Sequence, residues 1–271
     1  MRWAESHGLR YAQFAQLRAV PGLWHGIFAR HCLDGQGARP SAFNIGFDVG
    51  DSETLVQHNR RRMLAVAGSR SAVFARQVHG DVVAVWDRSA QRRQAGPVRD
   101  AVCLQGDALV TDQTGVSLVI QTADCQSVLM VDPERGVIAN VHSGWRGSIA
   151  NIVGRTIETM VSRFGCRPEH IAAAIGPSLG PCCAEFTNYR EEIPLCYWHY
   201  RRPGNLFDFW QLTIDQLSGA GVPARQIAVS NICTRCNAST FFSYRGESGN
   251  TGRFAAVILL RHNEFTARIR G

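Results

Sequence analysis

Two histidines and one cysteine stand out in this 271-residue chain for their settings. His79 lies in Gln77-Val78-His79-Gly80, Cys125 closes Thr122-Ala123-Asp124-Cys125, and His142 opens His142-Ser143-Gly144-Trp145-Arg146-Gly147. Imidazole and thiolate are good zinc ligands, and three protein ligands leave a fourth position open, as catalytic zinc requires. The same residues admit a metal-free chemistry, with Cys125 and either His142 or His79 as a thiolate–imidazole nucleophile pair. They also admit no chemistry at all, as satisfied turn or core residues. Spacing alone leaves these options open.

The basic residues narrow what else the chain can do. All 29 are Arg, and the sequence contains no Lys. Lysine Schiff bases, a P-loop lysine and a lysine general base are therefore excluded. Any bound phosphate must be held by Arg forks, backbone amides or a metal. The net charge of +7 permits an anionic partner. The basic clusters Arg60-Arg61-Arg62, Arg92-Arg93 and Arg201-Arg202 are short, and no zinc-finger, RNP or helix-turn-helix pattern accompanies them. Nucleic acid is not an expected partner. The alternative to an enzyme is an Arg-rich module that binds a polyanion without turnover.

Composition is that of a globular protein, with 45% hydrophobic and 19% charged residues. A chain of this length buries roughly 70–75% of its unfolded surface, so it needs neither disulfide nor metal to stay folded. The longest apolar run, Phe254 to Leu260, is far short of the ~20 residues of a membrane span. No apolar signal segment follows Met1, and the expected location is the cytoplasm. Nine cysteines then read as thiols or ligands rather than a disulfide framework. Cys233-Thr234-Arg235-Cys236 is a single CxxC with no second pair at zinc-ribbon spacing. The adjacent Cys182-Cys183 does not supply one, so an incidental or structural role is expected.

These residues must be positioned by short strands and a few helices. Aliphatic runs bounded by Gly, Pro, Asp or Asn predict strands at 82–86, 108–111, 117–122, 128–131, 137–142, 171–175, 227–230 and 254–260. Asp132-Pro133-Glu134-Arg135-Gly136 predicts a hairpin over 128–142, which brings Cys125 and His142 together. Helical spacing predicts one helix over 148–164, ended by Gly165. A second runs from a cap at Asp51 to about Ala67 with Leu55, Met63 and Leu64 inward. A third starts at Asn205 or Asp208 and ends near Ser218, and a short one contains Tyr11, Phe14 and Leu17. The polar stretch 88–99 reads as a loop. Strands in runs argue for an α+β fold, a mixed sheet packed with helices, in a single domain over 1–271.

Six strings occur in order: Gln77 to Gly80, Gly106-Asp-Ala-Leu-Val-Thr111, Thr122 to Cys125, His142 to Gly147, Ala174-Ile-Gly-Pro177, and Phe242-Ser-Tyr-Arg245 with Thr251-Gly-Arg253. Together they closely resemble the YfiH-type, laccase-domain family of purine nucleoside phosphorylases, formerly labelled multicopper polyphenol oxidases. The resemblance covers about residues 24–260. It implies an α+β fold of the YfiH-like, cytotoxic-necrotizing-factor-like type. It implies zinc on His79, Cys125 and His142, which would also be the catalytic residues; copper can substitute, because Cu²⁺ outcompetes Zn²⁺ at most such sites. It implies phosphate-dependent cleavage of adenosine, inosine and methylthioadenosine to purine and ribose 1-phosphate, with adenosine deamination alongside. Arg146, Arg245, Arg253 and Asn44 are then the candidates for binding substrate or phosphate. Arg146 is also expected at a helix amino terminus, where backbone N–H groups favour anions. The chain departs from the family after Arg30, where a Gly-Gly-Val-Ser string is usual, and at Ser127 and Gly246, where Pro and Arg are common. The trio is untouched by these changes. A blue-copper oxidase would need paired His-x-His strings, and the nine histidines form none. The competing enzyme reading is a metal-free cysteine hydrolase using Cys125 and His142.

Overall fold

The computed structural model describes residues 1–33, 40–47, 49–69, 71–93 and 101–261. Two mixed sheets face each other. The larger has eight strands in the order Arg2–Ser6, Leu9–Gln13, Leu23–Leu33, Phe254–Leu260, Val116–Thr122, Ser71–Arg76, Ala101–Gln105, with Pro40–Ala42 beside Leu23–Leu33. The smaller has six: Ile227–Val229, Ala172–Ile175, Gln126–Asp132, Val137–Ser143, Ala108–Thr111 and Val83–Trp86. Between them Ile27, Leu118, Ile120 and Ile258 meet Leu129, Val131 and Ile138 in one apolar layer. Fully burying each such side chain contributes roughly 1.5–3 kcal/mol. The outer face of the smaller sheet is covered by helix Ile152–Phe164, and that of the larger by helix Glu53–Ala67. The α+β expectation holds.

The connectivity builds the site. Strands Ser71–Arg76, Ala101–Gln105 and Val116–Thr122 are parallel neighbours in the larger sheet. Each is the strand before a crossing into the smaller sheet, through 77–82, 106–107 and 123–125 respectively. Three same-sense crossings therefore meet at one end of the sandwich, and they carry His79, Asp107 and Cys125. The antiparallel register pairs Ser127 with His142 and Gln126 with Ser143, so the end of Val137–Ser143 meets the third crossing. The expected hairpin is present, but strand Val116–Thr122 belongs to the opposite sheet. Cys125 is thus at a change of sheets and not at a turn within one. Gly106 is required at the second crossing: its φ is +152°, and a Cβ there would lie 2.9 Å from the Val82 carbonyl oxygen.

Several elements differ from expectation for local reasons. The 148–164 helix is two: Trp145–Ile149, then Ile152–Phe164, broken where Asn151 takes a left-handed φ of 56° and its side chain accepts from the Gly154 amide. The helix from Glu53 is capped by Ser52 and not Asp51, and Leu55 is exposed while Met63 and Leu64 are buried. Asp208 caps Phe209–Gly219. Leu9–Gln13 is a strand, leaving only Ala15–Arg18 helical. Arg88–Arg93 forms a helix, and the rest of the expected 88–99 loop lies outside the described residues. The loop following Leu33, which carries the departure after Arg30, lies largely outside them too.

Candidate active site

His79, Cys125 and His142 converge. One ligand atom from each lies within 4.8 Å of the others. The imidazole rings meet edge to face with centroids 4.9 Å apart. Gly144 leaves the room: a Cβ there would stand 3.0 Å from His79 Cδ2 and 3.2 Å from Cys125 Sγ. Two imidazoles and a thiolate around so small a gap fit a tetrahedral divalent cation, whose ligands stand about 3.3–3.8 Å apart.

Asp107 organises the trio and received no role from the sequence. Its buried carboxylate is 2.8 Å from His142 Nδ1 and accepts hydrogen bonds from the amides of Val78, His79 and Gly80 at 3.1, 2.9 and 2.9 Å. It therefore orients His142 through its side chain and His79 through its backbone, holding His79 in a left-handed conformation with φ 61°. Gln77 clamps the same loop, donating to the Gln121 carbonyl at 2.7 Å and accepting from the Gln121 amide at 2.9 Å. Asp124 works elsewhere. Its carboxylate accepts from Thr234 Oγ1, Ser243 Oγ and the Arg245 amide at 2.6, 2.7 and 2.6 Å, which ties the carboxy-terminal motif to the third crossing.

Electrostatics couples the ligands. Burial pushes the Cys125 thiol up, but the His142 and His79 imidazoles outweigh it and bring the thiol down to about 6. Burial works against a charged His142, but the Cys125 thiolate and Asp107 outweigh it and raise the imidazole to about 9. Burial likewise opposes ionisation of Asp107, yet His142 and the Gly80 and Val78 amides hold its carboxyl below the usual carboxylate range. A divalent cation bound by all three side chains would displace the His142 proton. Its affinity is expected to fall about tenfold per pH unit from about 9 down to about 6, and more steeply below, where the thiol also takes a proton. Zinc titrations monitored by calorimetry in buffers of different ionisation heat check this; a proton release of zero at pH 7 contradicts it.

The trio opens into a cavity of about 630 Å³ lined by Trp145, Phe186, Phe209 and Tyr244 and by Arg146, Arg245 and Arg253. Arg146 is exposed, stacks 4.1 Å from the Trp145 ring centroid and has no ion-pair partner among the described residues. Arg245 Nη1 donates to the Glu185 carbonyl at 3.0 Å, and Arg253 Nη1 to those of Thr251 and Gly252 at 2.9 and 3.0 Å. Asn44 is not one of the residues that line the cavity. Its side chain donates to the Gly46 carbonyl and Asp51 and accepts from the Gly46 and Arg253 amides, so it positions Arg253 instead. The expected helix amino terminus at Arg146 is a five-residue turn, too short to add an anion site of its own.

The model of the family described as multi-copper polyphenol oxidoreductase laccase matches residues 25–261. The chain belongs to this family. Relatives include purine nucleoside phosphorylase YlmD of Geobacillus stearothermophilus, 36% identical over 247 residues, which cover 86% of this chain and 88% of the relative. A purine nucleoside phosphorylase of Deinococcus radiodurans is 38% identical over 80% of this chain and 82% of its own. A third relative, adenosine deaminase RL5 from an unknown prokaryotic organism, is 32% identical over 87% and 93%. The crystal structure of Geobacillus YlmD superposes with a TM-score of 0.79 at 32% identity, covering 96% of this chain and 98% of that one. That of YfiH from Bacillus licheniformis superposes with 0.75 at 28% identity, over 88% and 93%. The family thus supports an enzyme that processes purine nucleosides, and its description implies a bound metal. Among the described residues no helix is long and apolar enough to cross a membrane.

Proposed function

We propose that this chain is a purine nucleoside phosphorylase with an accompanying adenosine deaminase activity, working at one zinc ion held by His79, Cys125 and His142. The observation that carries the reading is the opening of that trio into a cavity with both aromatic faces and arginines. Trp145, Phe186 and Tyr244 offer surfaces on which a purine stacks. Arg146, Arg245 and Arg253 supply guanidinium groups, the one permanently cationic side-chain type that a lysine-free protein can offer a phosphate. Adenosine, inosine and methylthioadenosine are the proposed substrates, and phosphate the second one.

Cleaving the C1′–N9 bond places positive charge on the ribose and negative charge on the departing base. The arginines hold phosphate against the ribose, and the aromatic side chains keep the base in place and exclude water. His79, Cys125 and His142 hold the cation, and Asp107 keeps His142 with its other ring nitrogen free to ligate. Zinc bound there would supply a Lewis acid and an activated water, the latter being what deamination at purine C6 needs. Copper would compete for the same donors. The proposed compartment is the cytoplasm, which suits nine cysteines with no disulfide among the described residues.

The deciding experiment is turnover of adenosine and inosine by zinc-loaded protein, with and without phosphate, followed by chromatography. Free purine that forms only with phosphate supports phosphorolysis, and inosine from adenosine supports deamination. Neither product from folded, zinc-loaded protein sinks the reading. Arg146→Ala is expected to raise the KM for phosphate about tenfold or more, the loss of one charge-assisted hydrogen bond of about 1.5–3 kcal/mol. An unchanged phosphate KM would remove Arg146 from the binding set.

The lowered Cys125 thiol beside His142 favours one second reading, a metal-free cysteine hydrolase. Chelation separates the two: it stops the phosphorylase, with zinc restoring it, and leaves the hydrolase untouched.

A further inference from the structure

A second cluster of thiols lies outside the trio. Cys182, Cys183, Cys233 and Cys236 bring their four sulfurs within 4.8 Å of one another. Cys236 Sγ stands 3.7 Å from Cys182 Sγ and 3.5 Å from Cys183 Sγ. Sulfurs on a tetrahedral zinc stand about 3.8 Å apart, given Zn–S bonds of about 2.3 Å. The sequence expectation that Cys182-Cys183 could not complete the CxxC set is therefore corrected: the fold supplies the second pair from about fifty residues away.

The backbone around the cluster is arranged in advance. Ser178 and Cys233 form a parallel bridge, with the Ser178 amide on the Ile232 carbonyl at 3.2 Å and the Thr234 amide on the Ser178 carbonyl at 3.0 Å. Cys233 opens a turn closed by the Asn237 amide on its carbonyl at 3.0 Å, which turns Cys236 back toward it. On the other segment the Cys183 and Ala184 amides bond the Gly180 carbonyl at 2.9 and 3.0 Å, which folds the cysteine pair inward. Gly180 is obligatory here, since a Cβ would stand 3.1 Å from Cys233 Cβ and 2.9 Å from the Trp210 ring. Cys233 is buried while Cys182 and Cys236 are exposed, so a cation can enter from solvent.

We propose that Cys182, Cys183, Cys233 and Cys236 form a second metal site, a closed tetrathiolate centre for zinc, with a structural role. All four positions are taken by protein, so the site offers no open place for substrate. Its ligands release their thiol protons to solvent on binding. It joins the segment that carries Leu179, Glu185 and Phe186 into the cavity to the segment that carries Tyr244 and Arg245.

The test is metal content of the full chain, purified from zinc-supplemented culture and dialysed. About two zinc ions per chain are expected in the parent, and about one each in Cys182→Ser/Cys236→Ser and in His142→Ala. Combining the two sets of changes should leave none. Cys236→His should keep both, because imidazole replaces thiolate as a ligand. Cobalt-loaded His142→Ala protein should show the intense thiolate charge-transfer and visible bands of a tetrahedral thiolate site, a readout that needs no cysteine variant to fold. A parent with one zinc, lost entirely in His142→Ala, overturns the proposal. So does a non-reduced mass lower by the two hydrogens of a disulfide mapped to these cysteines.

Discussion

His142→Ala is expected to lower kcat/KM for adenosine phosphorolysis by about 10³-fold and to empty the site of zinc. On the proposed mechanism the cation would supply several kcal/mol of charge stabilisation, and each 1.36 kcal/mol is a factor of ten. Alanine removes one of three ligands and leaves Asp107 facing a gap at a position that is 2% exposed. Cys125→Ala and His79→Ala should behave alike for the same reason. The fold should survive, because His142 sits at the end of its strand and the apolar layer between the sheets does not include it. Circular dichroism, zinc analysis and turnover on the same preparation check all three statements. Full activity from a folded His142→Ala variant without zinc at the site defeats the proposed chemistry.

Asp107→Asn should separate positioning from ligation. One carboxylate here serves three backbone amides and one imidazole. An asparagine keeps one acceptor oxygen and turns a donor on some of those donors. Loss of a residue that orients a metal-bound histidine costs about 10–100-fold in metal affinity or activity. Buried donors left unpaired cost about 1–3 kcal/mol each, so Tm should drop by roughly 5–15 °C. A purely structural Asp107 would lower Tm and leave zinc affinity unchanged. If Asp107 acts mainly through His142, then adding Asp107→Asn to His142→Ala should lower activity far less than Asp107→Asn does alone, the remainder passing through His79, while the loss of stability persists.

The trio was legible because each ligand lies in a short string beside a strand signal. Strands such as Ala108–Thr111 and Phe254–Leu260 were legible for the same reason: they are unbroken aliphatic runs between turn residues. Asp107 was not. An acid after Gly106 reads as a turn residue, and only the meeting of two crossings shows that four donors surround it. The partners of Asn44 were not legible either, because a polar residue two before Gly46 looks available while its amide bonds within the chain. The amino-terminal strands Arg2–Ser6 and Leu9–Gln13 were hidden by the charged and polar residues of a sheet edge, where one face meets water. The cysteine cluster was hidden by its spacing, since only the Ser178–Cys233 bridge brings its halves together.

Because His79, Asp107 and Cys125 each ride a segment passing from one sheet to the other, no single sheet contains the site. The order of events during folding follows. A cation on the proposed trio would template neither sheet, since His79, Cys125 and His142 come into register only once the two layers have docked. On the proposed ligand set, metal capture would follow the non-local closure of this β-rich topology. An ion held there would fasten the layers at one end, and its escape would require them to part.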